Sequence, residues 1–204
     1  MRLRSLLPLL FCCVLFACKE KQNSASAEEK ATATSQEPQK TGDTTATYFS
    51  VIDYFNDQWK NRNADAYTLL KIEEINGRRD SAYLPLDSAL WARMRAPFDA
   101  TDIGDKKFLG WYSFNMFTDE TTETTHLHYE AVADNLFTRK LDIAADMVTN
   151  RVKSVYIETR RKQDGRVVTQ KLQYMPDRIF QVQSQESGGS GAAKNTLLEY
   201  RFKY

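Results

Sequence analysis

The chain has 204 residues, with 28 basic side chains against 27 acidic ones and aromatics at 12%. That balance excludes a global electrostatic pull toward nucleic acid, and the length allows one domain of ordinary size with its own core. All three cysteines, Cys12, Cys13 and Cys18, lie at the N-terminal end, so a chain beginning at Cys18 holds no internal disulfide and must be kept together by burial alone.

Arg2 and Arg4 give a positive start, Leu6 to Phe16 is an apolar run, and Ala17 is a small residue directly before Cys18. This is the layout of a signal peptide. The apolar run is shorter than the roughly 20 residues that a permanent membrane helix needs, and it ends at a cysteine. Leu15-Phe16-Ala17-Cys18 resembles the lipobox of bacterial lipoproteins, with Phe16 a departure from the usual smaller residue. Cys13 is a poorer site, because Cys12 precedes it and apolar residues follow. The resemblance implies that residues 1–17 are removed and that the Cys18 thiol is acylated, palmitate being one of the chains carried. It also implies an envelope address. Lys19 is not the aspartate that favours inner-membrane retention, which points to the outer membrane. The sequence further resembles envelope lipoproteins of Bacteroidota, in which an acidic run after the cysteine marks surface export. Lys19-Glu20-Lys21 has one acid between two bases, which favours a periplasm-facing protein.

From Lys19 to Ala46 no residue is larger in apolar bulk than alanine. Such a segment cannot offset an ordering entropy of roughly 1 to 2 kcal/mol per residue. It is expected to be a tether, with an r.m.s. reach on the order of 30 Å. The expected division is therefore residues 1–17 signal peptide, 18–46 lipidated N-terminus and tether, and 47–204 one α+β domain.

In that domain Tyr48, Ile52, Phe55 and Trp59 recur at helical spacing, with Thr47 a candidate cap. Tyr67–Ile75 and Arg78–Leu84 flank Asn76-Gly77, a dipeptide suited to the positive φ angles of a two-residue hairpin turn. That register sets Leu70 opposite Tyr83 and Glu74 opposite Arg79. Asp87 can cap a second helix carrying Leu90, Trp91, Met94 and Phe98, which Pro97 keeps short. Asp99 to Asp105 reads as a solvated turn. From Lys107 onward alternation predicts strands near 108–118, 124–132, 136–144, 152–161, 167–175, 179–185 and 196–204, joined by connections short enough only for antiparallel neighbours. Asp164-Gly165 fixes one register, with Ile157 opposite Leu172, Val155 opposite Tyr174 and Glu158 opposite Lys171. The expected fold is two N-terminal helices and a short hairpin packed on an antiparallel meander sheet of about seven strands.

His126-Leu127-His128-Tyr129-Glu130 is the one constellation with metal-binding potential, because residues two apart on a strand share a face. Three such groups in a row span about 13 Å, more than one ion with bonds near 2.1 Å bridges easily. Asp119, Glu120 and Glu123 are the acids nearest that end. The plainer reading is the water-facing side of a half-buried strand, with Leu127 and Tyr129 in the core. Gly188-Gly189-Ser190-Gly191 lacks the lysine and following helix of a phosphate loop. Lys153, Arg160, Arg161, Lys162, Arg166 and Lys171 gather near one hairpin, where they guard strand edges or meet an anionic partner. The leading expectation is thus a non-catalytic, lipid-anchored protein that binds another envelope component and uses no cofactor. Its partners are the membrane, through the lipid, and another envelope protein, with no nucleic acid. The alternatives are a carrier of an apolar ligand in a curved-sheet cavity and a metal enzyme built on His126 and His128.

Overall fold

The computed structural model describes residues 47–62, 65–188 and 192–203. The expected signal peptide, Cys18, the expected tether, residues 189–191 of the glycine-rich stretch and Tyr204 lie outside the described residues. The order of elements is α1 (Val51–Arg62), β1 (Thr68–Ile75), β2 (Arg78–Pro85), α2 (Ser88–Asp99), a 3-10 turn (Lys106–Phe108), β3 (Tyr112–Asp119), β4 (Thr124–Ala131), β5 (Thr138–Asp146), β6 (Val152–Gln163), β7 (Arg166–Met175), β8 (Ile179–Gly188) and β9 (Lys194–Lys203).

All nine strands belong to one antiparallel sheet of spatial order β2-β1-β9-β8-β7-β6-β5-β4-β3. The expected seven-stranded sheet with a separate hairpin and two N-terminal helices is thereby overturned. β1 pairs along its whole length with β9, Leu69 opposite Phe202 and Ile72 opposite Glu199, so β1 and β2 extend the sheet and do not pack on it. α2 follows the first two strands and is not N-terminal to the sheet. The physical reason is that β9 would otherwise end the sheet as an unpaired edge, and β1 satisfies its outward backbone groups.

Turn chemistry sets the local registers. Asn76 and Gly77 have φ of 49° and 82°, and Asp164 and Gly165 have 51° and 73°, the left-handed pair that a twist-matched hairpin turn requires. Leu70 faces Tyr83 and Glu74 faces Arg79. Ile157 faces Leu172, Val155 faces Tyr174 and Glu158 faces Lys171, as the Asp164-Gly165 turn dictates.

Both helices pack on one face of the sheet. Register aligns two apolar rows across it, Ile143-Val155-Tyr174-Phe180-Tyr200 and Leu141-Ile157-Leu172-Val182-Leu198. Phe55 of α1 and Leu90, Trp91, Met94 and Phe98 of α2 are buried against them. Asp87 caps α2 as expected, its Oδ1 accepting from the Leu90 N–H at 2.6 Å. α1 departs from the expected phase. It begins only at Val51, so Tyr48 precedes the helix, and Val51 and Phe55 are buried while Ile52 turns outward. Its cap is Ser50, whose Oγ accepts from Asp53 N–H, in place of Thr47. The stretch Asp99 to Asp105 is not a solvated turn either: Thr101 and Ile103 are each 1% exposed. Among the described residues no helix is long and apolar enough to cross a membrane.

Candidate functional site

Neither of the two described helices packs on the other face of the sheet. Strict alternation brings to it one row from edge to edge: Asn115, His128, Asp142, Tyr156, Gln173, Gln181, Glu199, Ile72 and Ser81. Seven consecutive members of this row carry hydrogen-bonding side chains. Several members are tied to one another, His128 to Asp142 and Gln181 to Glu199.

At the β4–β5 end the Asp142 carboxylate lies between two imidazoles. His126 Nδ1 is 2.9 Å from Asp142 Oδ1 and His128 Nδ1 is 3.1 Å from Oδ2. His126 Nε2 is 3.1 Å from Thr124 Oγ1, and the Phe117 ring stacks on the imidazole at 4.8 Å with planes 2° apart. The β4 alternation thus places His126, His128 and Glu130 on one face and Leu127 and Tyr129 toward the core, as read from the sequence. Glu130 takes no part in the imidazole pair; it stands opposite Lys140 and is exposed. The partner the sequence did not reveal is Asp142, fourteen residues beyond His128 in the next strand. The register of β4 against β5 was the signal that would have found it.

Each imidazole spends its Nδ1 on a separate carboxylate oxygen, so the three groups do not converge on one point. Among the described residues no cluster of three His, Cys, Asp or Glu is arranged to hold a metal ion. Asp119 is engaged in its own turn, accepting from the Thr121 N–H at 2.9 Å and the Thr122 hydroxyl at 2.7 Å.

Farther along the row, Tyr156 donates to Glu158 Oε1 at 2.6 Å. Burial, reinforced by this hydrogen bond, pushes its phenol above the usual range. Glu199 is 4% exposed on a face with no described helix above it. Its carboxylate accepts from Gln181 Nε2 at 2.9 Å and pairs with Arg201, which offsets the cost of burying the charge. Beside these residues lies an open hollow of about 430 Å³, lined chiefly by Glu74, Thr169, Lys171, Gln183, Gln185 and Asn195.

The basic cluster is only partly a cluster. Arg160, Arg161, Lys162 and Arg166 sit at the β6–β7 hairpin end, whereas Lys153 is near the opposite end of β6 and pairs with Asp146 at 3.1 Å. Arg166 pairs with Glu186 at 2.5 Å. The aromatics divide: Tyr112, Tyr129, Tyr174, Tyr200 and Phe202 are buried, while Trp111, Phe114 and Phe117 are 47%, 51% and 45% exposed. Comparison with protein-family models, with curated proteins and with solved structures finds no match to the chain.

Proposed function

We propose that this is a lipid-anchored envelope protein with a non-catalytic binding role, and that the helix-free face of its sheet is the binding surface for another envelope component. The observation that carries this reading is the row of hydrogen-bonding side chains from Asn115 to Glu199 on the face the helices leave bare. Groups already held by neighbours, such as Asp142 between His126 and His128, are preorganised and lose little freedom when a partner docks. The hollow at one end, with Glu74, Lys171 and Gln183 in its lining, suits a polar partner better than the apolar ligand of a carrier. Support for the anchor comes from the Leu15-Phe16-Ala17-Cys18 series. Attachment through it would tie the sheet to the envelope through the polar segment that follows Cys18.

Two measurements test the reading. Cys18→Ala should leave an uncleaved or mislocalised form, which membrane extraction would show; unchanged size and unchanged detergent partition would remove the anchor. A photo-crosslinking side chain at Gln183, on the helix-free face, should capture an envelope component in cells, and one at Arg93, on the exposed side of α2, should not. Adducts from Arg93 alone would move the binding surface to the helices.

A further inference from the structure

The two edges of the sheet are built differently. β2 carries Arg78, Arg79 and Asp80 and ends in Pro85, the charged and proline-bearing kind of edge that resists pairing with another chain. β3, Tyr-Ser-Phe-Asn-Met-Phe-Thr-Asp, has no lysine, arginine, proline or bulge, and its one charge is the final Asp119. Phe114, Met116 and Phe117 are 51%, 61% and 45% exposed, and Trp111 and Val132 beside them are 47% and 63% exposed. Apolar side chains therefore stand on both faces of an edge whose own residues carry no guarding charge before Asp119.

The backbone of this edge is open as well. Val132 N–H donates to Trp111 O, so the odd-numbered residues of β3 bond toward β4 and the even-numbered ones turn their N–H and C=O away from it. Tyr112 O, an even position, is accordingly free to accept from the Tyr48 hydroxyl at 2.8 Å. Phe114, Met116 and Thr118 offer the next outward groups. A lipid surface would leave these groups without partners, whereas another strand satisfies them.

We propose that β3 pairs antiparallel with β3 of a second copy of this chain across a two-fold axis at Asn115, joining two sheets into one. This register matches outward backbone with outward backbone and sets Phe114 against Met116 of the other copy. Asn115 meets itself, and no like charges oppose each other. Charge favours the self-pairing: the turn before β3 carries Lys106 beside a Lys107 already paired with Asp105, and the turn after it carries Glu120 and Glu123. An antiparallel two-fold brings the basic turn of one copy to the acidic turn of the other. Lys106 and Glu120 make no ion pair among the described residues, so both are available. An isologous contact of this kind closes on itself and leaves the guarded β2 edges outermost.

The test uses the full chain extracted in mild detergent and sedimented. The wild type should have twice the mass of one copy. Phe114→Lys with Met116→Lys sets lysine opposite lysine twice and should halve that mass, and the Phe114→Glu with Met116→Glu variant should behave alike. Mixing the two variants should restore the double mass, a result that misfolded variants cannot give. Asn115→Cys should form a covalent dimer on oxidation beyond any seen for the parent chain, because directly opposed non-bonded pairs lie within disulfide reach, and Tyr83→Cys on the β2 edge should not. A wild type of single mass, a dimer that survives the double lysine change, or a mixture that stays monomeric overturns the proposal. So does capture of a different protein or of lipid by β3 in a chain that sediments as a monomer.

Discussion

Asp102, in the loop after α2, accepts a hydrogen bond from the backbone N–H of Val51 at 2.6 Å, so the first turn of α1 is capped from a residue 51 positions away. The same oxygen is 3.3 Å from the Ile52 N–H. A carboxylate there both satisfies orphan donors and meets the positive end of the helix. Asp102→Ala should destabilise the fold by about 1 kcal/mol, within the range of about 0.5 to 2 for cap removal. Asp102→Asn, which keeps an acceptor but loses the charge, should cost less. Urea unfolding of the three chains decides it, and equal losses for Ala and Asn would show that the charge alone, and not the neutral acceptor, carries the cap.

Gly104, two residues on, marks how closely that loop presses on the helix start. A Cβ built there would lie 2.6 Å from Ser50 Cβ and 2.8 Å from Ser50 Cα. The nearest atoms belong to the backbone and Cβ of the residue before α1, not to the far end of a flexible side chain. Gly104→Ala should therefore cost about 1 to 3 kcal/mol, as overpacking does. It should also raise amide exchange in the first turn of α1 more than in α2. Unchanged stability would mean that the helix start moves aside freely.

At the imidazole pair, Asp142 can only accept when ionised, so both Nδ1 atoms carry hydrogen. Long-range nitrogen–proton NMR correlations should show protonated Nδ1 on His126 and on His128, with the Thr124 hydroxyl meeting His126 Nε2. Asp142→Ala should free both rings and return them toward the mixture of tautomers found in exposed histidine. Wild-type rings protonated only at Nε2 would contradict the arrangement.

What could be read from the residues was local. Asn76-Gly77 and Asp164-Gly165 fixed the pairing of the strands beside them, because a two-residue turn needs particular φ angles and leaves no freedom in register. Alternation likewise put His126 and His128 on the face opposite Leu127 and Tyr129. Closure between distant segments was not legible. Nothing in Leu69 to Ile75 distinguishes a strand that continues a sheet from a hairpin that lies on one, and its pairing with β9 depends on residues at the far end of the chain. The cap from Asp102 was missed for the same reason, since an aspartate in a polar run looks solvated until its distant donor is known. Arg62 is the sharpest case: it is 5% exposed, bonds Asp177 at 2.5 Å and lies over the Trp91 and Phe202 rings, a burial that nothing in its neighbours along the chain signals.

Acid should loosen the β5–β6 turn through Asp146. The Thr149 backbone N–H, then the Thr149 hydroxyl and Lys153, hold the Asp146 carboxyl well below the usual carboxylate range. A group depressed in the folded state stabilises it above its ordinary unfolded value, and that contribution is lost as pH falls through the folded value. Asp146→Asn should therefore be less stable than the wild type near neutrality. The gap should narrow as pH drops below the ordinary aspartate range near 3.9. A gap that stays constant from neutral pH into acid would assign the effect to packing.

The heaviest single loss should come from Phe180, which is 1% exposed. Its ring centre lies 4.4 Å from that of Tyr174, 5.3 Å from Trp91, 5.4 Å from Phe55 and 5.5 Å from Phe98. One side chain of β8 thus touches α1, α2 and β7 at once, and it holds both helices to the sheet. Phe180→Ala removes the apolar surface and leaves a cavity that four large rings cannot all collapse into. The expected cost is about 3 to 5 kcal/mol, against within about 0.5 kcal/mol for Tyr83→Ala, whose ring is 67% exposed on the outer strand. Phe180→Leu, which keeps most of the volume, should recover much of the loss. Denaturant midpoints for the three variants measure the ordering, and a Phe180→Ala chain as stable as Tyr83→Ala would show that the helices are held to the sheet by other contacts.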